Sequence, residues 1–169
     1  MTSSLCLFAL VGCGFHPVGS SGELPKVMHT TYVASGEPYG NLENLLRRAV
    51  VARGDQVTED NQQASAVLDI MSTDNSRRVL AVNSNGQPLE YSISYRVQFR
   101  LLDAKGKELL TPQSVVLHRN LAYSIYIQIG STRRERELVA DMQGEAVQLI
   151  LLRLEALRRD EAADGSHTQ

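Results

Sequence analysis

Few side chains in this 169-residue chain are placed to do chemistry, and most of them are scattered. The four histidines are His16, His29, His118 and His167. None has a second ligand four residues away, so their spacing supports no metal site. No serine sits in a G-x-S-x-G elbow, and no glycine-rich loop is present to cradle a phosphate. The expectation is a protein that is not an enzyme and needs no cofactor. The arginines are better organised. Arg77-Arg78 forms one cluster, and Arg133-Arg134 with Arg136 forms another. A guanidinium grips phosphate or carboxylate through two parallel N–H bonds. Cations at a helix start oppose the helix dipole, so helix stability gives no reason for the second cluster. Two readings stay open: an anion site, or a solvated face with Glu135 and Glu137 as local partners.

The two cysteines, Cys6 and Cys13, both lie near the N-terminus, which leaves none for a disulfide or a thiolate metal site in the rest of the chain. Residues 5–11 are a short apolar run followed by Gly12 and Cys13. That length suits a secretory leader and is too short to span a bilayer. Leu10-Val11-Gly12-Cys13 resembles a bacterial lipobox, in which a small residue precedes the cysteine whose thiol takes a diacylglycerol. The expected division is a signal peptide over 1–12 and a lipidated N-terminus and tether over 13–26. A single domain follows over 27–158, then a disordered polar tail over 159–169. Residues 1–5 carry no Lys or Arg, unlike the usual basic start of such a leader. In lipoproteins of Gram-negative bacteria an Asp after the lipidated cysteine marks inner-membrane retention, and by that resemblance Gly14 implies the outer membrane.

These groups need a frame, and Leu89–Leu101 supplies it. Leu89, Tyr91, Ile93, Tyr95, Val97, Phe99 and Leu101 alternate with Glu90, Ser92, Ser94, Arg96, Gln98 and Arg100. Successive strand residues face opposite sides, so this is a strand with one dry face and one wet face. The dry face requires a cover. Leu42, Leu45, Leu46, Ala49 and Val50 make one helical stripe over about 42–53, with Asn41 as a candidate cap and Gly54 as a stop. Leu138, Met142, Ala146, Leu149, Ile150 and Leu157 make another over 132–158, with Thr132 and Glu135 at capping-box spacing. Further strands are expected at Val27–Val33, at Ala66–Met71 with an extension to Val82, and at Ser114–Tyr123. Residues 55–65 read as a polar connection. Asn85-Gly86 suits a two-residue type I′ hairpin, and Gly106 suits a left-handed turn position. Pro112 bars a central strand at its position. Residues 123–129 read either as continued strand or as an apolar contact surface.

A net charge of -2 and a pI near 6.1 argue against a nucleic-acid partner. No run approaches 18 apolar residues, so no membrane-spanning helix is expected.

Four segments together resemble the LptE family of lipopolysaccharide-assembly lipoproteins. They are Cys13-Gly14-Phe15-His16, Asn85-Gly86-Gln87 with Glu90-Tyr91, Arg119 to Tyr123, and the Ala/Gln/Leu-rich run Asp141 to Leu154. The resemblance implies an α+β two-layer sandwich, a four-stranded, mostly antiparallel sheet covered on one face by two helices. It implies an outer-membrane lipoprotein anchored through acylated Cys13. Such a protein plugs an LptD-like β-barrel, assists that barrel's assembly and binds lipopolysaccharide. It also implies basic residues near the hairpin tip, where this chain has Asn83 and Ser84. Arg77, Arg78, Arg133 and Arg134 would then carry the lipopolysaccharide contact, and Tyr123, Ile125 and Tyr126 the barrel contact. The alternative is an auxiliary outer-membrane lipoprotein of an intermembrane lipid-transport system.

Overall fold

The computed structural model describes residues 22–37, 40–122 and 128–164. Cys13, the tether up to residue 21, the contact candidates Tyr123, Ile125 and Tyr126, and residues 165–169 lie outside the described residues. Among the described residues no helix is long and apolar enough to cross a membrane.

The first strand begins later than Val27. Lys26–His29 makes one 3₁₀ turn that buries Met28, and β1 runs over Thr30–Ser35. The Thr31 hydroxyl donates to the Met28 carbonyl at 2.7 Å, tying turn to strand. Helix α1 spans Asn41–Val51 and buries Leu42, Leu46 and Val50, one residue per turn on the expected stripe. Its cap position is Gly40, in extended backbone. Asn41 is already helical, and its amide donates across to Gln143 instead of capping its own helix.

The polar connection at 55–65 holds a short strand that its pattern concealed. β2, Gln56–Thr58, pairs parallel with β1 after the α1 crossover. The sheet therefore has five strands, in the order β2-β1-β3-β4-β5, where four were expected. β3 is Ala66–Val82, β4 is Pro88–Asp103 and β5 is Glu108–Ala122. β1 pairs parallel with both β2 and β3, and the remaining two pairings are antiparallel. β5 is an edge strand, and its Pro112 falls where the β4–β5 register slips, so no ladder bond to an inner strand is lost there.

Both hairpins close in the same way. The Asn83 carbonyl accepts from the Gly86 N–H at 3.0 Å, and the Asp103 carbonyl accepts from the Gly106 N–H at 3.0 Å. Each turn is thus four residues ending on a glycine with positive φ, 76° at Gly86 and 81° at Gly106. The two-residue Asn85-Gly86 loop is not formed, because the Asn83 side chain competes for the backbone. Its Oδ1 accepts from the N–H groups of Asn85 and Gln87. Asp103 does the same for Lys105 and Lys107. The Lys107 N–H, with that of Lys105, holds the Asp103 carboxyl below its ordinary pKa.

Helix α2 covers Gln128–Asp164, a rod of roughly 55 Å at 1.5 Å per residue. Thr132 lies inside it, so Thr132 and Glu135 form no capping box. The helix also continues past residue 158 into the first part of the expected tail. Met142, Ala146, Val147, Ile150, Leu151 and Leu154 are its buried stripe. They share one core with the α1 stripe and with Val33, Leu68, Ile70, Ile93, Tyr95, Val97, Phe99 and Leu101 of the sheet. Both helices thus cover one face. The other face, including Arg96 and Gln98, is exposed.

Candidate functional site

β1 pairs with β3 only as far as Ser35 opposite Ile70. Beyond that point the β3–β4 hairpin runs on, with the first half of α2 lying over it. What the two arginines of the hairpin can reach depends on a bulge. Ile70 pairs with Phe99 but Ser72 pairs with Gln98, so Met71 is an extra residue. A bulge of one residue reverses which face every later side chain takes. Before it, Ala66, Leu68 and Ile70 face the helices. After it, Thr73, Asn75, Arg77 and Val79 do so, opposite Val97, Tyr95, Ile93 and Tyr91.

Arg77 therefore points under α2. Its Nη1 lies 3.0 Å from Glu135 Oε2, and its guanidinium stacks 4.7 Å from the centre of the Tyr91 ring. Arg78 takes the opposite face, across from Ser92, and is exposed. Adjacent in sequence, the two arginines are separated by the thickness of the sheet. Arg133 is bound one turn along its own helix to Glu137 at 2.8 Å, and that bond raises its pKa above the ordinary value. Arg134 is exposed and has no ion-pair partner among the described residues. All four arginines named from sequence are exposed; Arg77 and Arg133 are engaged by glutamates, and Arg78 and Arg134 have no ion-pair partner among the described residues. The structure brings Arg77 to Glu135, beside Arg133 and Arg134, and leaves Arg78 apart.

Between β3 and α2 lies an open cleft of about 700 Å³ lined by Asn75, Arg77, Thr132, Glu135, Arg136 and Gln143 among others. A recess of about 250 Å³ shares Asn41, Asn75 and Gln143 with it and reaches the start of α1 and Tyr95. Burial pushes the Tyr95 phenol above its ordinary pKa, with the nearby Gln143 amide opposing the shift. Asn75 carried no periodic signal, and only the register after the bulge turns it to the cleft, where Gln143 of α2 meets it. Arg119 sat on the alternating face of the Ser114–Tyr123 strand in sequence, but its partner on α2 was not legible there. It stands opposite buried Ile93 and pairs with Glu145 of α2, so two arginines, one from each flanking strand, clamp the helix over β4.

The hairpin also exposes apolar side chains. Val79, Leu80, Val82 and Leu89 are each 44–53% exposed near its far end. Val79, opposite Tyr91, lies on the helix side of the hairpin, and Val82, opposite Pro88, on the outer side. The described histidines serve no site: His29 lies on the 3₁₀ turn and His118 on the outer face of β5. Among the described residues no group of three or more His, Cys, Asp or Glu side chains could hold a metal.

The LptE family, described as lipopolysaccharide-assembly, matches residues 28–154. A curated relative, the LPS-assembly lipoprotein LptE of Photorhabdus laumondii subsp. laumondii, is 22% identical over 102 residues, 60% of this chain. The match spans only 56% of that relative's length. Among solved structures, lipoprotein B of Nitrosomonas europaea superposes with a TM-score of 0.70 at 29% identity, covering 92% of this chain and 97% of its own. The rare lipoprotein B of Shewanella oneidensis gives 0.69 at 18% identity, covering 79% and 98% respectively. The minor lipoprotein of Acinetobacter baumannii gives 0.65 at 23% identity, covering 79% and 96%. The last two are likenesses of fold. Because the family match runs from buried Met28 to Leu154 in the buried stripe of α2, the chain belongs to the LptE lipopolysaccharide-assembly family.

Proposed function

We propose that this protein is an outer-membrane lipoprotein that plugs an LptD-like β-barrel, helps it assemble and binds lipopolysaccharide during insertion into the outer leaflet. It acts by binding and not by catalysis. The observation that carries the reading is the family match over nearly the whole described domain, residues 28–154. It favours this role over that of an auxiliary lipoprotein in an intermembrane lipid-transport system.

The hairpin suits such a ligand. Lipopolysaccharide joins phosphates to acyl chains, and Arg78 and Arg134 lack ion-pair partners among the described residues while Val79, Leu80, Val82 and Leu89 are exposed. Arg77 contributes through Tyr91 and Glu135, as the post that holds α2 against the hairpin. The outer sheet face, with Ser72, Ser76, Ser92, Ser94 and Gln98, is hydroxyl- and amide-rich. A polar face of this kind matches the polar interior of an outer-membrane barrel. Tyr123, Ile125 and Tyr126 remain assigned to barrel contact.

Mild detergent extraction of outer membranes, followed by pull-down and mass spectrometry, should recover a large β-barrel together with this chain. Recovery of the folded chain without any barrel overturns the reading. Changing Arg133 and Arg134 together to Glu should weaken lipopolysaccharide binding on the order of tenfold at low ionic strength, with no change in melting temperature. Binding that stays unchanged at low salt removes both as ligands. Cys13→Ala should move the protein from the membrane to the soluble fraction with its circular dichroism intact, because each buried acyl methylene contributes about 0.8 kcal/mol. Retention in the membrane would remove Cys13 as the anchor.

A further inference from the structure

The recess at the start of α1 holds two kinds of unmet donor. Gly40, the cap position of the helix, supplies no side-chain cap, and the N–H groups of Asn41 and Leu42 meet no acceptor among the described residues. Free amides at a helix start attract electron-rich oxygen. Asn41 and Leu42 line the recess, and Tyr95 lines it from β4. Tyr95 is 3% exposed, and its hydroxyl is buried with no hydrogen-bond partner among the described residues. Native folds rarely leave a buried O–H unpaired, because its lost hydration is then uncompensated.

The other groups around the recess decide what fits. Thr73, Asn75 and Gln143 bring hydroxyl and amide groups that both donate and accept. Glu37 and Glu43 bring carboxylates, which only accept. An anion placed here would meet both acids. Neutral hydroxyls suit the recess better, since they give to the acids and take from Tyr95 and the helix start. The adjoining cleft has the opposite character. It shares Asn41, Asn75 and Gln143 with the recess and carries Arg77 and Arg136. The Asn41 amide donates to Gln143 Oε1, which fixes both side chains where the two spaces join. Arg77 is engaged by Glu135. Arg136 has no ion-pair partner among the described residues and reaches only the Thr132 carbonyl of its own helix, at 3.4 Å. Gln143 and Arg136 are two turns apart on α2, about 10 Å at 1.5 Å per residue, the span of two linked sugar rings.

We infer that recess and cleft together bind a phosphorylated saccharide, its sugar hydroxyls at Tyr95, Asn41 and Asn75 and its phosphate at Arg136. The inference rests on the reading of the protein as one that binds lipopolysaccharide. It gives the sugar-phosphate part of that lipid a place of its own, apart from the apolar end of the hairpin. A concave space with a few convergent polar groups at one end and an unpaired guanidinium at the other fits such a ligand.

The test is isothermal titration calorimetry of the full chain in mild detergent with three probes: fully deacylated lipopolysaccharide, the same saccharide stripped of phosphate, and intact lipopolysaccharide. The parent should bind one deacylated saccharide per chain. Tyr95→Phe should weaken that binding about tenfold without lowering the melting temperature, since it removes a hydroxyl that the fold leaves unpaired. Arg136→Gln should weaken binding of the phosphorylated saccharide about tenfold and leave that of the dephosphorylated one unchanged. A deacylated saccharide that does not bind overturns the inference, and intact lipopolysaccharide that still binds would leave the functional reading standing. Full saccharide binding by both variants overturns it too. So does a Tyr95→Phe variant that melts lower and binds as the parent does, the result expected of a hydroxyl paired with buried water. Binding of the saccharide but not of intact lipopolysaccharide supports the site, assigns it to a free sugar phosphate, and counts against the functional reading instead.

Discussion

Phe99→Ala is expected to lower the unfolding free energy by about 3–5 kcal/mol. Phe99 lies in β4, is fully buried and is among the largest side chains in the core. It sits where β3, β4 and α2 meet, opposite Ile70, with the Arg153 guanidinium 5.9 Å from its ring centre. Arg153 is in turn fixed by a 2.9 Å bond from its Nη1 to the Ser114 carbonyl on β5. Truncation removes apolar contact from three elements and leaves a hole that the rigid central strand cannot close. Urea unfolding should show a lower midpoint with an unchanged slope, since the surface exposed on unfolding stays nearly the same. A loss below about 1.5 kcal/mol would mean that the helices settle into the hole, and that the layers are less firmly held than the packing implies.

The second large effect belongs to a charge pair at the opposite end of the domain from the distal hairpin. Arg53, just past α1, reaches Glu155 of α2 at 2.9 Å, and both side chains are about 10% exposed. Gly22 lies against the same carboxylate, where an added Cβ would fall 2.6 Å from Oε2. Glu155→Ala leaves Arg53 enclosed without a counter-charge, which is expected to cost about 3–5 kcal/mol. Replacing both, Arg53→Met with Glu155→Leu, should recover most of that loss, because apolar groups of similar volume carry no desolvation cost. If the double change is as damaging as the single one, the pair acts through packing and not through charge. These two results would separate the contribution of the core from that of the contact joining α1 to α2.

The strongest signals in the chain were those that repeat. Alternation from Leu89 to Leu101 predicted β4; Ile93, Tyr95, Val97, Phe99 and Leu101 are buried on it and Tyr91 is partly buried. Leu89 breaks the pattern only because the far end of the hairpin extends beyond the core. The Leu42, Leu46, Val50 stripe predicted α1 for the same reason: a buried face imposes its period on the residues that fill it. β2 escaped notice because three residues, Gln56-Val57-Thr58, are too few to show a period.

The sequence by itself determined which face of the central strand is dry, which stripes of the helices cover it, and the resemblance to the family to which the chain belongs. These are local patterns, set by the two-residue and 3.6-residue repeats of the backbone. Only the tertiary structure decided the surroundings of the arginines. The extra residue at Met71 turns Arg77 toward Tyr91 and Glu135 and Arg78 toward solvent. No local repeat around either arginine encodes that choice. It follows from the strand register, and register is settled by which pairing buries the most apolar surface across the whole sheet.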